Sequence, residues 1–159
     1  MKECALRSEL WLPRSLGEVF PFFVEARNLA AITPPWLRFE VLTPARIEMR
    51  VGTLIDYRLR VHGIPLRWRT EMAAWEPPYR FVDVQLRGPD TLWHHTHTFE
   101  ERDGGTLCTD HVRYRLIGGA LVNWLFVRRD VECIFCYRQE RLHEILGSRS
   151  APMPIPDRG

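Results

Sequence analysis

Hydrophobic and polar residues alternate along much of this chain, which is the pattern of β-strands with one buried face. Two stretches near the middle show it most clearly, and they flank the dipeptide Asp103-Gly104. That dipeptide favours a two-residue hairpin turn, because both positions of such a turn need positive φ. The pattern therefore predicts a hairpin between strands over 93–99 and 107–114.

The position of this turn sets which side chains share a face of the hairpin. Counting outward from it, His97 lies opposite Asp110, whereas His94 and His111 point to the outer face. The inner face carries Trp93, His95, His97, Phe99, Cys108, Asp110, Val112 and Tyr114. It is aromatic and apolar with two imidazoles and one carboxylate, which is typical of a ligand-pocket wall.

The remaining elements follow from hydrophobic periodicity and from the breakers between segments. Strands are predicted over 5–12, 36–42, 53–62, 66–75 and 80–87, and helices over 16–26, 28–32 and 120–146. Ser15 is a good N-cap for the first helix, with Glu18 as its capping-box partner. Gly63-Ile64 is predicted as a second hairpin turn, which places Leu59 opposite Trp68 and leaves an arginine-rich outer face.

Two orientations are open for the strand over 80–87. In one, the inward residues are Val82, Val84 and Leu86. In the other, they are Phe81, Asp83, Gln85 and Arg87. We favour the first, because burying Asp83 and Arg87 without partners costs on the order of several kcal/mol. A tight turn over 89–90 would also put Leu86 opposite Trp93.

Composition limits the classes of function. The chain has 159 residues, 45% of them hydrophobic, and a net charge of +2. This favours one globular domain over 1–147, with a proline-containing tail over 148–159 predicted to be disordered. There is no lysine and arginine cluster, membrane-spanning window or signal sequence, so we expect a cytoplasmic protein with no nucleic-acid partner and no membrane insertion. The composition is compatible with either a monomer or a homodimer.

The cysteines indicate no disulfide framework, which agrees with a reducing compartment. They are Cys4, Cys108, Cys133 and Cys136. Cys133 and Cys136 form a C-x-x-C pattern inside a predicted helix, whereas a redox motif needs a helix N-terminus after a strand. We therefore expect one of the two in the core and one on the surface.

An antiparallel sheet with one apolar face must bury that face, and the helix over 120–146 is the element long enough to cover it. The order of elements resembles that of the START/Bet v 1-like superfamily. The likeness is in particular to its polyketide cyclase/dehydrase and lipid-transport branch, and it spans about 5–146. The stretches over 28–39, 75–81 and 88–100 resemble those of bacterial stand-alone domains. The resemblance implies an α+β helix-grip fold, with a curved sheet of about seven strands around the C-terminal helix.

His97 and Asp110 are the leading candidates for chemistry. In a dry groove they form an acid–base pair, a polar anchor for a ligand carbonyl or hydroxyl, or a structural cross-strand pair. His95 is a further candidate, although Val112 opposite offers it no partner. Arg128 lies near the apolar stripe of the terminal helix, where it either reaches a ligand carboxylate or Asp110, or extends its head into solvent.

The aromatic residues of the inner face are either core or ligand contacts. They are Tyr57, Trp68, Trp93, Phe99 and Tyr114. His95 and His97 also have a metal-ligand spacing, but a metal site needs three or more converging ligands, so we predict no metal and no cofactor.

The leading functional hypothesis is binding of a hydrophobic small molecule, lipid-, polyketide- or aromatic-like, between sheet and terminal helix. It requires a void of ligand size, ~300 Å³ or more. The alternative is a cyclase/dehydratase-type enzyme that uses His97 and Asp110 as an acid–base pair. A chaperone or partner module would need a large exposed apolar patch, and the arginine-rich strands argue against one there.

Overall fold

Seven antiparallel strands form one sheet in the order β1-β7-β6-β5-β4-β3-β2. The computed structural model describes residues 3–44, 46–116 and 127–148. Along the chain the elements are β1 (Cys4–Leu12), α1 (Leu16–Val24), α2 (Ala26–Ala31), a 3₁₀ turn (Pro35–Leu37), β2 (Glu40–Val41), β3 (Leu54–Val61), β4 (Ile64–Glu76), β5 (Arg80–Arg87), β6 (Asp90–Arg102), β7 (Gly105–Leu116) and α3 (Arg128–Leu146).

The hairpin of β6 and β7 has the predicted turn and the predicted register. Asp103 and Gly104 both have positive φ, 52° and 73°. His97 pairs with Asp110, and the residues expected opposite one another along both strands are the pairs observed. The inner face is therefore the predicted one, and its two imidazoles and its carboxylate are buried.

The hairpin of β3 and β4 turns one residue earlier than predicted. Its turn is His62-Gly63, both with positive φ, so that Tyr57 rather than Leu59 lies opposite Trp68. The register differs from the prediction by two residues. Since side chains alternate with a period of two, this shift leaves Tyr57 and Trp68 on the predicted inner face.

The orientation of β5 is the opposite of the one we favoured. Asp83 pairs with His95, which is one residue away from the register that would put Leu86 opposite Trp93. A one-residue shift turns every side chain to the other face. Leu86 is consequently 54% exposed, although Val82 remains buried, and Asp83 contacts the inward-facing His97. The expected cost of burying that carboxylate is offset because it meets imidazoles there.

The strand predicted over 36–42 is reduced to the two residues of β2. The 3₁₀ turn precedes it, and Arg38 then adopts a left-handed conformation with φ of 45°, which interrupts an extended strand. Helix α1 begins as predicted, with the Glu18 carboxylate accepting from the Ser15 backbone N–H at 3.1 Å.

Helix α3 packs an apolar side against the concave face of the sheet. Its buried apolar residues are Val131, Phe135, Leu142 and Leu146. The predicted helical residues 120–126 and the predicted disordered residues 149–159 lie outside the described residues. Within the described part of the chain, no helix is both long and apolar enough to cross a bilayer.

None of the four cysteines, which all lie in the described part of the chain, forms a disulfide. Cys108 is buried in the core, and burial raises the pKa of its thiol to about 12. Cys133 and Cys136 are both exposed on α3, so the expectation that one of them packs in the core is wrong. They lie away from the apolar side of the helix, three residues apart.

The left-handed conformation of Gly104 is expected to contribute measurably to the stability of the protein. A Cβ there would meet no atom within 4 Å, so the cost of Gly104→Ala is backbone strain alone. We expect a loss of about 1–2 kcal/mol in the free energy of unfolding, measured by urea denaturation.

The matched control is Gly17→Ala in α1, where φ is not positive and the added Cβ meets only the Ser15 Oγ at 4.0 Å. It should be neutral or stabilising by up to about 1 kcal/mol. Equal losses in the two variants would show that turn strain is not the cause.

Candidate functional site

A cavity of about 220 Å³ lies between the concave face of the sheet and the helices. Its apolar walls include Ile55, Tyr57, Leu59, Trp68, Met72 and Phe135. One part of the wall is polar and is formed by Asp83, His95, His97 and Arg138. The volume bounded by the described residues is smaller than the ~300 Å³ that the binding hypothesis required, so that size requirement is not met.

The polar wall is built on three adjacent strands. His95 and His97 are two residues apart on β6, so both imidazoles point inward and their ring centroids are 3.7 Å apart. β5 supplies Asp83 on one side of them, and β7 supplies Asp110 on the other. The sheet therefore holds two imidazoles between two carboxylates.

Each imidazole contacts both carboxylates. His97 Nε2 lies 2.8 Å from Asp83 Oδ2, and His95 Nε2 lies 2.8 Å from Asp110 Oδ1. The second nitrogen of each ring approaches the other carboxylate. His95 Nδ1 is 3.9 Å from Asp83 Oδ2, and His97 Nδ1 is 2.9 Å from Asp110 Oδ1. The last contact is too poorly aligned for a hydrogen bond. The sequence had placed only His97 beside a carboxylate.

Arg138 joins this cluster from α3. The residue is 8% exposed, and its Nη2 lies 3.7 Å from Asp110 Oδ1. The guanidinium carbon is also 5.5 Å from the ring centroid of Phe23 and 6.0 Å from that of Phe135. Arg138 thus adds a cation held by aromatic rings beside the carboxylate.

Arg128, which we had considered for this role, lies elsewhere. Its side chain is 66% exposed and pairs with Glu132 one turn along the helix, at 2.9 Å. The two arginines are ten residues, roughly 15 Å, apart along α3. The spacing of Arg138 from Phe135 and Leu142, three and four residues, is the sequence signal that could have identified it.

Mutual contacts decide the ionisation of the cluster. Burial would raise the pKa of Asp110, but Arg138 and the two imidazoles hold it well below its usual range. Contacts with His97 and His95 likewise outweigh burial and lower the pKa of Asp83. Burial opposes charge on His97, yet its contacts with both carboxylates raise the pKa. Burial and the neighbouring charge on His97 lower the pKa of His95.

The opposite charges of the cluster compensate one another. Two carboxylates with lowered pKa values face the always-charged guanidinium and two imidazoles, of which His97 has the raised pKa. Such compensation allows ionised groups to stay buried, since an unpaired charge would be strongly unfavourable there.

The aromatic candidates divide between the cavity and the core. Tyr57, Trp68 and Trp93 line the cavity, and the two indoles meet edge to face with centroids 5.3 Å apart. Phe99 instead packs in the core against the rings of α1. Tyr114 belongs to a separate cluster of buried residues with Val112, Val131 and Phe135.

Asp83, His95 and His97 each offer a ligand atom, and these atoms lie within 4.8 Å of one another. The expectation that only two such side chains converge is therefore wrong. Asp83 was missed because the favoured strand register turned it outward. The signal available in the sequence was an acidic residue within a strand that otherwise reads as buried.

The cluster should behave as a buried ionic network. Asp110→Asn removes one carboxylate and leaves the buried guanidinium of Arg138 without its charged partner, so we expect a loss of about 3–5 kcal/mol in the free energy of unfolding. Urea denaturation followed by circular dichroism measures this loss.

Asp56→Asn is the matched control, because Asp56 pairs with Arg69 on the solvent-facing side of the same sheet. Breaking that exposed pair should cost about 1 kcal/mol or less. A loss for Asp110→Asn as small as that of the control would contradict the buried network.

No protein-family model matches this chain, and no curated protein is similar to it in sequence. Solved structures share its fold. Protein CV1439 from Chromobacterium violaceum has a TM-score of 0.73 at 14% identity, covering 91% of this chain and 98% of its own. Ara h 8.0201 has a TM-score of 0.68 at 14% identity, with coverages of 91% and 98%.

A third similar structure is TTHA0849 from Thermus thermophilus, with a TM-score of 0.63 at 20% identity, covering 89% of this chain and 99% of its own. The likeness in each case extends over nearly the whole of both chains. It agrees with the seven-stranded curved sheet, the two short helices after β1 and the C-terminal helix. This chain has the Bet v 1-like helix-grip fold that the sequence resemblance implied.

Proposed function

We propose that this protein binds a small, mostly apolar molecule that carries one polar group. The observation behind this proposal is a cavity whose walls are aromatic and aliphatic except for one polar cluster. Apolar walls supply affinity, and a few fixed polar groups orient a ligand. A ligand hydroxyl or carbonyl directed toward His95 and His97 would meet hydrogen-bonding partners, whereas the remainder of the ligand would contact Tyr57, Trp68 and Trp93.

The size of the cavity favours an aromatic ligand over a lipid. An apolar protein cavity of ~150 Å³ holds benzene. A cavity of about 220 Å³ therefore suits a molecule of one or two rings with a small substituent. It is smaller than the ~300–1,000 Å³ of pockets for drug-sized ligands.

The first test uses 2-naphthol, which combines two rings with one hydroxyl, and follows its fluorescence during titration. We expect a submillimolar Kd. 8-Anilinonaphthalene-1-sulfonate should bind at least tenfold more weakly, because it is larger and carries a permanent charge. Extraction of freshly purified protein, followed by mass spectrometry, would identify a natural ligand that is retained.

Trp68→Arg should abolish 2-naphthol binding, because it places a charge in the apolar wall. The control is Trp36→Arg, since Trp36 is 59% exposed and does not line the cavity. Far-UV circular dichroism verifies that both variants are folded. If folded Trp68→Arg binds 2-naphthol as well as the wild type does, the proposed cavity is not the binding site.

A cyclase- or dehydratase-type enzyme is the second candidate. It is favoured by two adjacent imidazoles that line the cavity and each contact carboxylates, since acid–base catalysis needs oriented imidazoles. In a dehydration, one group takes the proton next to a carbonyl and another protonates the β-hydroxyl. The C–O bond breaks, a C=C bond forms and water leaves.

A one-ring probe for this reaction is 4-hydroxy-4-phenylbutan-2-one, whose dehydration gives a conjugated enone that absorbs in the near ultraviolet. Catalysis should fall about 100-fold or more in His97→Gln, given the usual contribution of acid–base groups. His111→Gln alters an exposed imidazole on β7 and should retain the wild-type rate of dehydration. A rate no faster than buffer would reject this chemistry without affecting the binding proposal.

A further inference from the structure

The atoms of the polar cluster are arranged in two layers around the imidazoles. His95 Nδ1 and His97 Nε2 face Asp83 Oδ2, at 3.9 and 2.8 Å. His95 Nε2 and His97 Nδ1 face Asp110 Oδ1, at 2.8 and 2.9 Å. Each imidazole therefore presents one nitrogen toward Asp83 and the other toward Asp110.

This is the arrangement of a metal centre with its supporting carboxylate. A histidine that ligates a metal usually donates its other ring N–H to a carboxylate or carbonyl, which fixes the ring and its tautomer. Asp110 occupies that supporting position for His95, whose Nε2 is hydrogen-bonded to Asp110 Oδ1, and it lies 2.9 Å from His97 Nδ1 without an aligned hydrogen bond. A metal ion binds the lone pair of a deprotonated ring nitrogen, so binding would displace any proton on the nitrogens that face Asp83, and these nitrogens would then serve as ligands.

We propose that Asp83, His95 and His97 bind a divalent transition-metal ion of the Zn²⁺ or Fe²⁺ class. The ligand atoms lie within 4.8 Å of one another. Metal–ligand bonds of ~2.0–2.2 Å place neighbouring ligand atoms roughly 3–3.5 Å apart, so small side-chain movements would complete the site. Two imidazoles and one carboxylate are donors that these ions favour.

The site would remain open on its cavity side. Asp83, His95 and His97 line the cavity, and Asp110 is not among the lining residues. Three protein ligands with an open position are typical of catalytic rather than structural metal sites. An ion held there would polarise an oxygen of a molecule in the cavity. This inference replaces the sequence-based expectation of no metal, and it does not depend on the identity of any organic ligand.

The test is calorimetric titration of ZnCl₂ into protein that has been treated with EDTA and dialysed. We expect one Zn²⁺ per chain, with affinity lowered at least 100-fold in Asp83→Asn and in His95→Gln. Asp110→Asn should lower it by about 10- to 100-fold, as observed when supporting carboxylates are removed. Near-UV circular dichroism confirms the fold of each variant. If only one of Asp83→Asn and His95→Gln folds, its Zn²⁺ affinity is enough to test the proposal.

Two further readouts separate this site from adventitious binding. ZnCl₂ should raise the Tm of the wild type but not that of Asp83→Asn, because a ligand of the native state stabilises it. CoCl₂ should give a visible absorption band that Asp83→Asn lacks. The control is the double variant His62→Asn/His111→Gln, which removes an exposed His62–Asp130 pair and an exposed imidazole and should bind like the wild type.

Absence of Zn²⁺ and Co²⁺ binding would overturn the proposal, and the cluster would then be a hydrogen-bonded ion-pair network. Binding that survives in folded Asp83→Asn or disappears in the surface double variant would overturn it as well. None of these results would alter the outcome of the 2-naphthol titration of the metal-free protein, so the two proposals can fail separately.

Discussion

The pairing of β6 with β7 is the constraint on which the rest of the site depends. Its turn at Asp103-Gly104 has two left-handed residues, and this fixes which residues of the strands face one another. The inner face then receives His95, His97 and Asp110 together. A slip of one residue would expose all three, because the side chains of a strand alternate between its faces.

Burying these groups is physically acceptable because they compensate one another. Asp83 and Asp110 flank the imidazole pair, and Arg138 adds a positive charge beside Asp110. A buried ion pair is weak evidence for stability, since replacing it with apolar residues is often neutral or stabilising. Its position in the wall of a cavity is the observation on which the ligand-binding proposal rests.

The cavity arises because a seven-stranded curved sheet extends further than one helix can cover. Apolar residues of α3 fill part of the concave face, and aromatic residues of α1 and the sheet fill another part. What is left is apolar on most sides and polar on one. The fold itself is shared by proteins of 14–20% identity. The chemistry therefore has to be argued from the cluster, because one fold supports many functions.

Local patterns were enough to predict the β6–β7 register and the inward direction of Tyr57, Trp68, His95 and His97, whereas the helix-grip architecture was implied by the family resemblance. Turn residues and alternation are encoded by neighbours in the chain, so the sequence by itself determines them. It did not determine the register of β5 on β6, which differs by one residue from the favoured one and turns Asp83 inward. Nor did it determine that Arg138 rather than Arg128 contacts Asp110. Those outcomes depend on electrostatic contacts between distant segments, which exist only once the sheet and α3 have come together.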